Sequence, residues 1–163
     1  MFRNFMDTSE EVAKSQISSL VGRIHELAAA DDDEAFVLEL IPRINLDFPG
    51  DRGLFCPFIL NCMKLSPGEG FFMGADEPHA YISGDCVECM ALSDNVIRAA
   101  LTPKYKDVDE LCSSLHYRCG KCEGFLIPKA LDDFTTLFRP PVQVCSEFEV
   151  ERVVIPAAVQ VIF

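Results

Sequence analysis

The stretch from His79 to Lys104, HAYISGDCVECMALSDNVIRAALTPK, decides how the rest of the chain is read. Glu88 stands inside Cys86-Val87-Glu88-Cys89-Met90, and Arg98 inside Val96-Ile97-Arg98-Ala99-Ala100-Leu101. A lone charge in so apolar a run needs a partner, a ligand or a proton, because burying it alone costs several kcal/mol. His79 follows Glu77-Pro78, where proline fixes φ and gives the imidazole a stiff mount. Ser93-Asp94-Asn95, between the two charges, is a turn-forming cluster. The pattern predicts two short antiparallel strands with side chains alternating between faces. A carboxylate, a guanidinium and an imidazole can then converge on one pocket. The same spacing equally fits a Glu88–Arg98 ion pair inside a β-core, with His79 merely hydrogen-bonded. Spacing alone leaves both open.

The ordered set His79-Ala80-Tyr81-Ile82 with Gly84, Glu88-Cys89-Met90-Ala91, Ser93-Asp94-Asn95, Arg98-Ala99 and Thr102-Pro103-Lys104 closely resembles a signature of type I mannose-6-phosphate isomerases. These phosphomannose isomerases are zinc enzymes built on cupin-type β-barrels with an inserted helical domain. The resemblance implies a mainly β fold with helices: a partial cupin (jelly-roll) barrel preceded by a helical hairpin. It implies interconversion of mannose 6-phosphate and fructose 6-phosphate, which serves mannose and GDP-mannose supply. Such an aldose–ketose exchange moves a proton between adjacent carbons through an enediol, and needs an acid/base group and positive charge at the developing oxyanions. In the resemblance His79 is a zinc ligand, Arg98 the pocket cation, and Glu88 a carboxylate that orients or accepts protons. Lys104 stands near the substrate phosphate, and Ser93, Asp94 and Asn95 shape the turn. The cofactor is one zinc ion. Family members take their other ligands, a Gln-x-His pair and a glutamate, from before the helical domain. This chain starts after that region, so the expected zinc site is incomplete and the chain reads as a truncated one. The family usually has glycine where this chain has Ala100, a departure that matters if the position needs positive φ or close backbone approach.

Bulk properties fit a soluble protein whose ligand site is locally basic and argue against other classes. The 163 residues suffice for one domain with a core or for parts of two, and 49% are hydrophobic, which argues against disorder. A formal net charge of −12 argues against a nucleic-acid surface. The start, MFRNFMDTSEEVAKS, has no apolar signal-peptide core, and the apolar run Leu54–Met63 is too short to span a bilayer. Eight cysteines without a secretory signal read as reduced thiols, giving a cytoplasmic protein without membrane or nucleic-acid partners.

Outward from the central stretch, Thr8-Ser9-Glu10-Glu11 reads as a capping box, Thr8 with Glu11, ahead of an amphipathic helix over roughly 9–29. His25 reads as a surface residue of that helix. Asp31-Asp32-Asp33-Glu34 opens a second helix, which Pro42 is expected to kink or shorten. Pro49-Gly50-Asp51-Arg52-Gly53 reads as a loop and a boundary. Leu54–Leu65 reads as a long buried strand bulged near Pro57. Asp107–Leu115 reads as an acid-started helix with His116 at its end, 119–146 as irregular, 147–153 as a half-exposed strand, and Gln160–Phe163 as the start of another. The division expected is a helical segment 1–48, a cupin-type β segment with a covering helix 49–118, and a linker with further strands 119–163.

Two other readings stand beside the isomerase. One is a catalytically dead paralogue that binds a sugar phosphate or a partner. The other is a zinc ribbon, since Cys86-x-x-Cys89 and Cys119-Gly-Lys-Cys122 are two CxxC pairs. The second pair suits a zinc knuckle. The first does not, because Val87-Glu88 within a strand turns neither thiol toward a common metal.

Overall fold

The structure is a computed structural model, and it describes residues 1–27, 31–93, 96–122 and 124–157. It divides into two compact units. The first comprises the described residues of Met1–Met63, Asp76–Ser83 and Asn95–Lys121; the second those of Lys64–Ala75, Gly84–Asp94 and Cys122–Phe163.

The first unit is organised by a helix pair. Helix α1 spans Phe2–Asp7 and α2 spans Glu10–Arg23, followed by a 3-10 turn Ile24–Glu26. The capping residue of α2 is Ser9, not Thr8. Ser9 Oγ accepts from the Val12 amide at 3.3 Å, whereas the Thr8 hydroxyl donates back to Asn4 O at 2.9 Å and closes α1. Glu10 and Glu11 complement the dipole at the start of α2. Helix α3, Asp32–Asp47, begins where the Asp31 carboxylate accepts from the Glu34 amide at 2.8 Å. It continues five residues past Pro42. Ile17, Leu20 and Ile24 meet Leu40, Ile41 and Ile44 in the core, where Ile41 is fully enclosed.

Leu54 joins this core at 0% exposure, but not on a strand. Arg52–Phe58 is a 3-10 helix, and Phe58, Ile59, Leu60, Met63 and Leu65 are exposed, so the expected long buried strand over 54–65 is absent. Asp51 starts the helix by accepting from the Gly53 amide at 2.7 Å, and Pro57, without an N–H, fits a helical turn better than a ladder. Helix α4, Val108–Ser114, is capped by Asp107, as its acidic start predicts. The short α1 had no clear sequence signal; six residues do not hold a helix alone, and tertiary contacts do it instead. Met6 is buried, Phe5 meets Phe55 edge-on at 6.4 Å, and Phe2 meets Tyr117 at 6.1 Å. Arg3 pairs with Asp109 at 2.6 Å.

The second unit holds the strands. β1 (Gly70–Phe71) pairs antiparallel with β2 (Phe125–Leu126), placing Gly70 opposite Leu126 and Phe71 opposite Phe125. The Phe71 and Phe125 rings meet edge-on at 5.4 Å. β3 (Lys129–Ala130), β4 (Thr135–Phe138) and β5 (Val150–Val153) form an antiparallel sheet in that order. The turn from β3 to β4 is held by Asp132, which accepts from the amides of Phe134 and Thr135 at 2.8 and 2.7 Å. Thus 119–146, expected to be irregular, contains β2, β3 and β4, while the strand expected over 147–153 forms over its second half. The strand expected at 160–163 lies outside the described residues. Among the described residues no helix is long and apolar enough to cross a membrane.

Candidate active site

The four residues singled out by sequence are divided between the units. His79, Arg98 and Lys104 belong to the first, and Glu88 to the second. None lies on a strand: the described residues 84–93 and 96–100 have no helix or strand, so the hairpin expected around Ser93 is not formed there. Val87 and Leu92 are 90% and 99% exposed. Glu88 is exposed as well, so the desolvation argued from its apolar flanks is not incurred. Asp94 and Asn95 lie outside the described residues.

Asp76 turns the chain at φ 59°, and His79 Nδ1 lies 2.9 Å from Glu77 O. A carbonyl oxygen only accepts, so Nδ1 is the donor in this contact, and in the neutral ring Nε2 then keeps the lone pair. That is the arrangement a histidine metal ligand adopts, its other ring nitrogen tied to a carbonyl. The ring stands edge-on to Tyr81 at 5.9 Å, and Glu77 pairs with Arg118. The His79 residue as a whole is exposed.

Arg98 is half-buried and makes no hydrogen bond or ion pair with the described residues of its own unit. The backbone that carries it is fixed close by. The Leu101 amide donates to Asp51 Oδ1 at 3.1 Å, and Leu101 itself packs against the α2–α3 core. Leu101 adopts φ 53°, whereas Ala100 is not among the residues with positive φ. The Ala100 methyl faces Gly53: a Cβ on Gly53 would lie 3.0 Å from it and 2.6 Å from Leu101 Cγ. Lys104 is exposed, in a turn closed by its own amide donating to Thr102 Oγ1 at 3.2 Å and by Lys106 Nζ donating to Thr102 O at 2.9 Å.

Asp51, Arg52 and Gly53, read from sequence only as a boundary loop, are therefore contact residues of this unit. Arg52 Nη1 donates to Phe5 O at 3.1 Å and to Met6 O, holding the C-terminal end of α1. The available signal was aspartate two residues before glycine, a side chain that accepts from the i+2 amide.

Zinc needs about three or four donors. Among the described residues no group of three or more His, Cys, Asp or Glu converges on a point, so the described residues do not fit a zinc ion by themselves. The eight cysteines are free thiols. Burial, with lesser help from the charges of Asp51 and Cys62, pushes the Cys56 thiol up to about 11, which makes it a poor nucleophile.

Comparison with known proteins bears on the fold and the family resemblance. The sequence profile of the family described as phosphomannose isomerase type I, helical insertion domain, matches residues 1–60. Mannose-6-phosphate isomerase of Bos taurus is 40% identical over 162 residues, covering 97% of this chain and 38% of its own length. The enzyme of Cryptococcus neoformans is 41% identical over 156 residues, covering 93% and 35%. The crystal structure of mannose 6-phosphate isomerase from Salmonella typhimurium bound to substrate and zinc superposes with TM-score 0.69 at 31% identity, over 86% of this chain and 34% of that one. Its apo form gives the same TM-score and identity. A helical pair followed by small antiparallel sheets is thus part of a cupin-type isomerase fold, as expected. The chain is similar to type I phosphomannose isomerases over nearly all of its own length, and it spans less than two fifths of the length of these relatives.

Proposed function

We propose that the chain is the section of a zinc-dependent aldose–ketose isomerase that interconverts mannose 6-phosphate and fructose 6-phosphate, and that it works in the cytoplasm in mannose and GDP-mannose supply. The observation that carries the reading is Arg98, a half-buried residue whose guanidinium makes no hydrogen bond or ion pair with the described residues of its unit. A cation so placed suits a ligand whose negative charge arrives with it or develops during reaction. In this reading Arg98 stabilises the enediolate oxygens and Glu88 orients the sugar or accepts its proton. Lys104, exposed on its closed turn, meets the phosphate. His79 supplies one imidazole nitrogen to the family's single zinc ion. Residues 1–48 then end the inserted helical domain, 49–118 begin the cupin-type segment that includes α4, and 119–163 lead into further strands.

A second reading, a catalytically silent sugar-phosphate binder, is favoured by the lack of a converging group of metal donors among the described residues. One experiment tests the role of Arg98, and a parent graft without turnover would favour the silent binder. Residues 54–104 are grafted into a complete family member, which restores the other ligands, and Arg98→Ala is compared with the parent graft. The isomerase reading expects kcat to fall by about 10²-fold or more with little change in melting temperature. An unchanged kcat with a collapsed melting temperature assigns Arg98 to structure. The chain alone is expected to retain little zinc and little turnover; stoichiometric zinc after dialysis, with turnover of mannose 6-phosphate, would show that it needs no other ligands.

A further inference from the structure

We propose that Asp51 is a positioning residue that fixes the segment carrying Arg98, by holding the Leu101 amide in a backbone conformation leucine does not adopt unaided. The proposal rests on the role given to Arg98 above. Leu101 lies three residues beyond Arg98 at φ 53°. For a bulky L-residue that region brings Cβ against the following carbonyl, and such a residue stays there only where its surroundings over-determine it.

Two anchors do so. Asp51 Oδ1 accepts from the Leu101 amide at 3.1 Å, a charge-assisted bond reaching across 50 residues of sequence. The Leu101 side chain lies over Gly53 and against the α2–α3 core, in the space a Cβ on residue 53 would take. The described residues 96–100 form no helix or strand, so no backbone ladder fixes the guanidinium's mount. A cation that stabilises developing charge acts only if its mount is held to a fraction of an ångström.

The simpler account, that Asp51 merely caps the 3-10 helix Arg52–Phe58, explains its 2.7 Å bond to the Gly53 amide. It does not explain why the same oxygen reaches Leu101. Both amides meet on one atom, which ties the start of that helix to the Arg98 segment.

The test uses the full chain and two readouts, amide hydrogen exchange and the rate at which phenylglyoxal modifies Arg98 relative to Arg23 on α2. Asp51→Ala is expected to speed exchange at Leu101 by about tenfold or more, the scale of a lost hydrogen bond to a charged group. Arg98 modification should change by about threefold or more while Ile17, Leu20, Ile41 and Arg23 stay as they were. Asp51→Asn, which keeps an acceptor oxygen, should restore both readouts to near the parent values. Unchanged exchange at Leu101, or loosening of α2 and α3 to the same degree, overturns the proposal. Should Asp51→Ala fail to fold, Asp51→Glu decides: a loosened 96–104 with an intact core supports the lock, and an intact 96–104 removes it. Neither readout needs zinc or turnover. A failed lock therefore leaves the assignment of Arg98 standing, and an inactive graft leaves the lock standing.

Discussion

Gly53→Ala sets two effects of known size against each other. Gly53 is buried and its φ lies outside the left-handed region, so an alanine backbone fits and the question is one of space. Replacing glycine narrows the unfolded ensemble and contributes about 0.4–1 kcal/mol of stability. Against this, the new Cβ would stand 2.6 Å from both Cγ and Cδ2 of Leu101 and 3.0 Å from the Ala100 Cβ. Overpacking of that kind costs about 1–3 kcal/mol. Leu101 cannot swing clear, because its backbone at φ 53° aims the Cα–Cβ bond and the core lies beyond it. Overpacking wins, leaving a net loss of about 0.5–2 kcal/mol, or a melting temperature lower by about 2–6 °C for a chain of this size. Gly22→Ala is the internal control. Gly22 is exposed near the end of α2, and nothing lies within 4 Å of its added Cβ. That substitution should raise stability by about 0.5–1 kcal/mol. Both are read by thermal and urea unfolding followed by circular dichroism. A Gly53→Ala chain as stable as the parent, or more so, would refute the tight Gly53–Leu101 contact.

Two further outcomes follow from titratable groups. Because burial raises the folded Cys56 value from 9.0 to about 11, the protonated thiol supports the fold below 9, and that support is lost as pH rises toward 11. Iodoacetamide at about pH 8 should mark exposed Cys86 and Cys89 well before Cys56, and comparable labelling of Cys56 in mass spectra contradicts its burial. The amides of Phe134 and Thr135 hold Asp132 below its ordinary 3.8, so what it adds to the β3–β4 turn is present above 3.8 and lost as pH falls through the lower folded value. Exchange at Thr135 should quicken across that acidic window in the parent and be fast at every pH in Asp132→Ala; a parent indifferent to pH there rejects the assignment.

What was legible in the sequence was local. The apolar spacing of Ile17, Leu20, Leu40, Ile41 and Ile44, with acidic first turns, located α2 and α3, and Asp107 located α4. Where the deciding partner is distant, sequence reading failed. Helix α1 depends on Arg52, Phe55, Asp109 and Tyr117, none of them near it in the chain. The run 54–65 is apolar without a clear period, and such a run does not by itself separate strand from helix. β2 and β3 are two residues each, too short to alternate. At the site, the apolar flanks of Glu88 and Arg98 suggested equal burial, yet Glu88 is exposed and Arg98 half-buried. Neighbours in sequence do not measure burial when the segment carries no strand.

Ala100 tests whether the site segment is strained where the family usually has glycine. Positive φ falls on Leu101, one residue later, so position 100 does not need glycine's conformational freedom. What it needs is room, and Gly53 opposite it gives that room. If this is right, Ala100→Gly removes a half-buried methyl and widens the unfolded ensemble, both unfavourable. Together they cost about 1 kcal/mol, or about 2–4 °C in melting temperature. A strained alanine would give the opposite sign, since glycine would relieve it. The double variant sharpens the distinction, because contacting positions do not add. With Gly53→Ala already present, Ala100→Gly removes the 3.0 Å contact but leaves the 2.6 Å contacts to Leu101. The pair should therefore cost less than the sum of the two single changes, yet more than Ala100→Gly alone. Strict additivity in urea unfolding would mean that Gly53 and Ala100 do not touch, and that the room at position 100 comes from somewhere else.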